Sequence, residues 1–399
     1  LSIAEAILNF VIVAIAAGIL LLANQAQRTQ NNRYHQVVAG ILMLFNLLFV
    51  LAYGPLVLAE AYGIVESASF SKMEAWGSAS IAVLFFILAT AALFRPVRER
   101  IAILFPRYRE EDKEKREQPV PSWQSDGQGT PLYPQMLNYY QTGMIYPTAP
   151  VQPMPQPDNR ASWIRGFNPA STVHMVALVY VQYLLGNQFV NFVLGGGLEG
   201  VAESYDQAFT VWSLLVNSMP LLIIPVIGVG MGVRRGWSGT FRRLGLNIPT
   251  LEGLGMSVAL TIGLLIFIVA VSIVWQMMVS PETFDEQTKA SNALSDSVNT
   301  IGVAFVLAAT AAISEEIAFR GALQPVLGYW PTALVFAALH SQYTLTPAFL
   351  TILGVALVFG WIRMRYGTTV AIMTHFLYNF IQLGTLTLMT EEAIFHLLF

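Results

Sequence analysis

Apolar residues dominate the chain in continuous runs of about 20, separated by short polar turns. Runs of that length are read as membrane-spanning helices, and the absence of strict alternation argues against a β-barrel. The pattern predicts an all-α polytopic bundle of about ten spans. Spans 1 to 3 run roughly over Ile3–Ala23, Val37–Leu58 and Ala75–Phe94. Spans 4 to 6 follow over Ser171–Leu194, Phe209–Val233 and Leu254–Val279, with Pro249-Thr250 as a helix start. Span 7 begins near Ile301, and the chain is predicted to turn at Gly321 and Pro325. Span 8 begins at Pro331, is short, and is interrupted near Pro347; spans 9 and 10 cover Ala348–Ile362 and Thr368–Met389. The first run lacks a basic leader and reads as a span, not a cleaved signal.

Polar segments divide this pattern into three regions: a three-span region 1–95, a linker 96–170 and a C-terminal membrane region 171–399. Arg95 closes the three-span region, and the linker opens with Arg98, Arg100, Arg107 and Arg109. It then becomes rich in Pro, Gln and Tyr, a composition too poor in apolar surface to offset ordering entropy, so it reads as a disordered spacer. Basic turns mark the cytoplasmic side. Placing the linker, Arg234–Arg243 and Arg363–Arg365 inside leaves the acidic segments Glu199–Asp206 and Ser280–Val298 outside, with both termini. Charged residues are only 11% of the chain and mean hydropathy is +0.57, far from the ~25% charged of soluble proteins. The net charge of −3 and the lack of a basic, aromatic-rich stretch give no sign of a nucleic-acid partner. There is no cysteine, which excludes disulfides, thiolate nucleophiles and Cys-held metals.

Against that apolar background a few polar residues stand out. Span 7 carries Glu315, Glu316 and Arg320. Each charge at the centre of a span costs ~2.5–3.5 kcal/mol on insertion scales, so such residues are candidates for function. Helix spacing separates the acids. Glu316 and Arg320 are i, i+4 and suited to an ion pair, whereas Glu315 is rotated by ~100° and free to face elsewhere. His375 lies ~10 Å into span 10 and His340 ~13 Å into span 8. Both therefore fall near the level of the acids, in the cytoplasmic half of the membrane. His375 and Asn379 share one face, as do Phe336 and His340. Such a set suits peptide hydrolysis by an activated water, which needs a base and donors aimed at the oxyanion. It also suits a transporter or proton relay, or a non-catalytic immunity or scaffold protein. Zinc is a chemical rival, disfavoured because there is no His-Glu-x-x-His helix and Asn is a poor zinc ligand.

Glu315-Glu316-x-x-x-Arg320, Phe336-x-x-x-His340 and His375-x-x-x-Asn379, ordered on successive spans, resemble the three motifs of the CPBP family, the CaaX-protease and bacteriocin-processing (Abi) membrane proteins. A looser resemblance covers Ser171–Phe399, including Arg242-Arg243-Leu244-Gly245-Leu246. The resemblance implies a metal-independent glutamic intramembrane endopeptidase of the cell membrane. In it Glu315 is the general base, His340 helps activate water, and His375 and Asn379 stabilise the oxyanion. Glu316 and Arg320 are then supporting residues and Phe336 packs. The implied partner is a membrane-associated protein or peptide within the lipid bilayer, and no cofactor is expected.

Overall fold

A computed structural model describes residues 3–65, 70–105, 124–125, 131–132, 166–205, 208–340, 343 and 346–388. The fold is an all-α bundle. Helices α1 (Ile3–Thr29), α2 (Asn32–Leu51, prolonged to Ala61 through a π turn at Pro55) and α3 (Lys72–Ala91) form the N-terminal group. The short α4 (Arg95–Ile101) follows. Most of the Pro-rich linker, with His396, lies outside the described residues. Within the linker, Gln124–Ser125 pairs antiparallel with Pro131–Leu132.

The remainder comprises α5 (Thr172–Leu194), α6 (Leu198–Glu203), α7 (Val211–Gly228), α8 (Trp237–Leu244), α9 (Leu251–Met278), α10 (Pro281–Asp296), α11 (Ile301–Glu315), α12 (Tyr329–Ala338), α13 (Ala348–Tyr366) and α14 (Thr368–Leu388). Hydroxyls of Ser71, Ser171, Thr210, Thr250, Ser280 and Thr300 accept a backbone N–H in the first turn of the helix each precedes. Such caps satisfy donors that a helix start leaves without a partner.

Among the described residues eight helices are long and apolar enough to cross a membrane, against the ten spans predicted. Helix α12 is only ten residues, ~15 Å, about half a bilayer. Helix α14 has the length, 21 residues, but its His375, Asn379, Gln382 and threonines dilute its apolar character. Two further segments differ from expectation. The acidic stretch Ser280–Val298 is helix α10 rather than a loop, started by Ser280 and Pro281. Span 7 does not turn at Gly321. Helix α11 passes into a π segment, Glu316–Leu323, continues through Gln324–Leu327, and turns at Gly328, whose φ of 93° favours glycine.

The largest core joins α1, α2 and α3 to α5 and to the end of the span-7 helix. It includes Leu20, Val38, Leu42, Ala89, Met175, Val179 and Leu327. Buried polar residues lock the same contacts. Asn24 donates to Ile227 O at 3.0 Å and accepts from Arg234 at 2.6 Å, which ties α1 to the end of α7. Arg98, counted from sequence as a basic linker residue, is 1% exposed and donates to the carbonyls of Ala92, Leu93 and Pro169. Burial lowers its pKa to about 10. A second core, with Phe319, Phe336, Ala337, Ile352 and Ala356, packs α12 and α13 against the π segment and surrounds the polar residues of interest.

Candidate active site

The residues singled out from sequence converge on three elements: the α11–π junction, the end of α12, and α14. Glu316 is fully buried and Arg320 is 1% exposed. Their side chains meet at 3.0 Å, Arg320 Nη1 to Glu316 Oε1. His375 Nδ1 lies 3.0 Å from the same oxygen. A carboxylate only accepts, so the proton of this bond sits on Nδ1. Arg320 also donates from Nη2 to Ala356 O on α13 at 3.2 Å. Its guanidinium lies 4.1 Å from the Phe336 ring centroid and 5.5 Å from that of Phe359. His375 in turn stacks on Phe359, with centroids 4.7 Å apart. Thus Glu316, Arg320 and His375 form one dry cluster walled by two aromatic rings.

Glu315 faces a different partner. Its Oε2 is 4.0 Å from His340 Nε2, and the two side chains are 21% and 23% exposed. His340 Nδ1 contacts Phe336 O at 2.8 Å. The carbonyl can only accept, so Nδ1 carries the proton and a neutral His340 presents the Nε2 lone pair towards Glu315. A gap of 4.0 Å is too long for a direct hydrogen bond. Glu315 Oε2 has no hydrogen-bond partner among the described residues.

Phe336 sits between the two sets. Its ring is 4.5 Å from that of His340 and 6.3 Å from that of His375. It therefore does more than fill space: it carries the carbonyl that orients His340 and the ring that covers Arg320. Asn379 is half-buried, one turn beyond His375. Among the described residues no three His, Asp or Glu side chains stand together as a metal-holding group.

The span-7 helix runs twelve residues beyond Glu315 to Leu327, past the turn expected at Gly321. The rise along one tilted helix does not fix a common level; the 3.0 Å contact with His375 does.

Sequence reasoning did not single out Arg243 or Arg363, which were read as cytoplasmic loop charges. Both are buried, at 9% and 4% exposure. Arg243 Nη1 donates to Gly321 O at 2.9 Å, and Arg363 Nε to Arg320 O at 3.0 Å. Gln324, also missed, donates to Gly360 O at 2.9 Å. The signals for the two arginines were Pro325, four and five residues after the carbonyls they serve, and, for Arg243, its place in the Arg242–Leu246 stretch of the looser resemblance.

Residues 297–381 match the family described as Type II CAAX prenyl endopeptidase Rce1-like, and this segment contains all seven of the residues singled out. No curated protein and no solved structure matches the chain. The ordered acid, histidine and asparagine motifs, their convergence in a polytopic helical bundle, and this match agree: residues 297–381 are similar to the CPBP family of CaaX-protease and bacteriocin-processing membrane proteins.

Proposed function

We propose that this protein is an intramembrane endopeptidase of the CaaX-protease type. It hydrolyses a peptide bond in a membrane-associated protein or peptide, using a water activated by Glu315 and His340 and no metal. The observation that supports this reading is the 4.0 Å approach of Glu315 Oε2 to His340 Nε2, with both side chains about one-fifth exposed. A water ~2.8 Å from each atom matches that separation, and because Glu315 Oε2 itself has no accessible surface, the side chains part to admit it. Glu315 takes a proton from this water as its oxygen bonds to the scissile carbonyl carbon. The same proton then passes to the leaving nitrogen as the C–N bond breaks.

The charge that develops on the carbonyl oxygen requires donors. His375 and the Asn379 amide take that role. His375 already donates from Nδ1 to Glu316, so donation from Nε2 requires a second proton on the ring. Glu316 is the counter-charge for that imidazolium, and Arg320 shares the same oxygen. This gives Glu316 a task beyond holding Arg320. The site lies in the cytoplasmic half of the cell membrane on the basic-turn topology, and a C-terminal tail or leader peptide enters from that side.

The test is cleavage of a membrane-delivered peptide by purified protein reconstituted in liposomes. Glu315→Gln keeps shape and removes the base, so it should abolish cleavage; full activity would overturn the assignment. Comparative mapping of protein N- and C-termini in the native host, wild type against Glu315→Ala, would identify the substrate.

A further inference from the structure

The π segment Glu316–Leu323 is followed by Pro325, and that order creates a specific deficit. In the π register the N–H of residue i+5 serves the carbonyl of residue i. The Gln324 N–H does this for Phe319 O. The next carbonyl, Arg320 O, would take the N–H of residue 325, and in an α register Gly321 O would take the same one. Residue 325 is proline and has no N–H. Buried carbonyls need a donor, and two arginines from other elements supply it. Arg363 of α13 donates to Arg320 O, and Arg243 of α8 donates to Gly321 O.

The end of α8 holds the other half of the site as well. Helix α8 closes at Gly245 with φ of 73°, and Leu246 N–H returns to Phe241 O at 2.9 Å. The Leu244 and Gly245 carbonyls at this turn accept from Thr368 Oγ1 at 2.5 Å and Thr368 N at 2.9 Å. Thr368 starts α14, the helix that carries His375 seven residues on. A Cβ placed on Gly245 would lie 2.4 Å from the Arg363 guanidinium. One turn, Arg243–Gly245, therefore contacts the glutamate-bearing segment, the start of the histidine-bearing helix and the second capping arginine.

We infer that Arg243 and Arg363 are positioning residues: they replace the hydrogen bonds that Pro325 cannot make and so fix the π register of the segment that carries Glu316 and Arg320 beside Glu315. The catalytic consequence rests on the peptidase reading above; the structural one does not. Both act through backbone carbonyls of the π segment.

The experiment measures amide hydrogen exchange over 316–323 in the full-length protein in nanodiscs, beside cleavage kinetics in liposomes. Arg243→Gln should accelerate exchange in 316–323 at least ten-fold and leave α1–α3 unchanged. It should lower kcat ten-fold or more with KM within about two-fold of wild type, and Arg243→Lys, which retains one donor, should recover part of both. Wild-type exchange over 316–323 in Arg243→Gln would overturn the inference. If Arg243→Gln does not fold, Gly245→Ala decides. It retains both arginines and displaces Arg363, so local acceleration supports the inference and wild-type exchange overturns it. Should the wild-type protein cleave nothing, the peptidase reading fails alone, because the exchange result still decides the positioning role.

Discussion

Replacing Arg320 by Met tests whether the dry cluster is held by charge. Met keeps the apolar stem of the side chain and removes the guanidinium. Glu316 is 0% exposed, so no water replaces the lost cation. A unit-charge pair at about 4 Å is worth ~4 kcal/mol in a medium of effective dielectric about 20. Breaking a buried pair by removing one partner costs ~3–5 kcal/mol on the same reasoning. Lost contact with the Phe336 ring, 4.1 Å away, adds ~0.5–2 kcal/mol. His375 remains on Glu316 Oε1 and offsets part of this. The expected net cost is ~3 kcal/mol. The assay is reversible unfolding in mixed micelles, run as a cycle with Glu316→Gln and the double variant. Removing both charges should be less costly than the sum of the singles by ~2 kcal/mol or more, since neither partner is then left alone. A single variant within ~0.5 kcal/mol of wild type, or strict additivity in the cycle, would refute the idea that a buried charge pair organises this cluster.

Other outcomes follow from the same contacts. Arg98→Ala leaves three carbonyls without their guanidinium and should destabilise by ~2–3 kcal/mol, measured by thermal unfolding; an unchanged melting temperature would remove its role as a clamp between α3 and α5. Gly186→Val should cost ~1–3 kcal/mol, because a Cβ there lies 3.0 Å from the Phe85 ring and 3.1 Å from that of Phe49; a stable variant would show that α3 and α5 yield at this crossing. Phe336→Leu keeps the carbonyl that orients His340 but uncovers Arg320. It should lower stability by ~1–2 kcal/mol, with cleavage reduced rather than lost; complete loss of cleavage at full stability would mean that the ring touches substrate. The metal-independent reading expects cleavage unchanged by a chelator and no stoichiometric metal in the purified protein; recovery of activity on adding zinc would replace it.

Much of the bundle was legible because the forces that set it are local. Apolar runs of bilayer length gave the spans, and Pro249-Thr250 marked the start of span 6, where Thr250 caps α9. What was lost is informative. Gly321 and Pro325 read as a turn because both oppose helix continuation. The helix continues anyway, since the N–H that Pro325 lacks is replaced by Arg243 and Arg363 from segments 82 and 38 residues away (325 − 243 and 363 − 325). No local pattern encodes that. The same two arginines look like topological charges beside spans, and in sequence a buried guanidinium is indistinguishable from an exposed one. Helix α10 was recoverable: Ser280-Pro281-Glu282 is a helix start, obscured by reading its acids as loop.

The pairing of acids with histidines shows where local reasoning stops. Spacing alone separates Glu315 from Glu316 and joins Glu316 to Arg320 on an α-helix of 3.6 residues per turn, and the pair is kept in the π segment that the structure has there. It leaves open which histidine each acid meets, since that depends on where α12 and α14 cross the span-7 helix. The structure gives His375 to the buried acid and His340 to the partly exposed one. A carboxylate sealed from water needs partners already in place, and Glu316 has two on one oxygen. A general base must instead be reached by water, and of the two acids only Glu315 keeps exposed surface. Adjacent glutamates can hold such different surroundings only if the helix keeps a fixed rotation between them. The turn Arg243–Gly245, outside the three motifs, is therefore as much a condition of the proposed chemistry as the residues inside them.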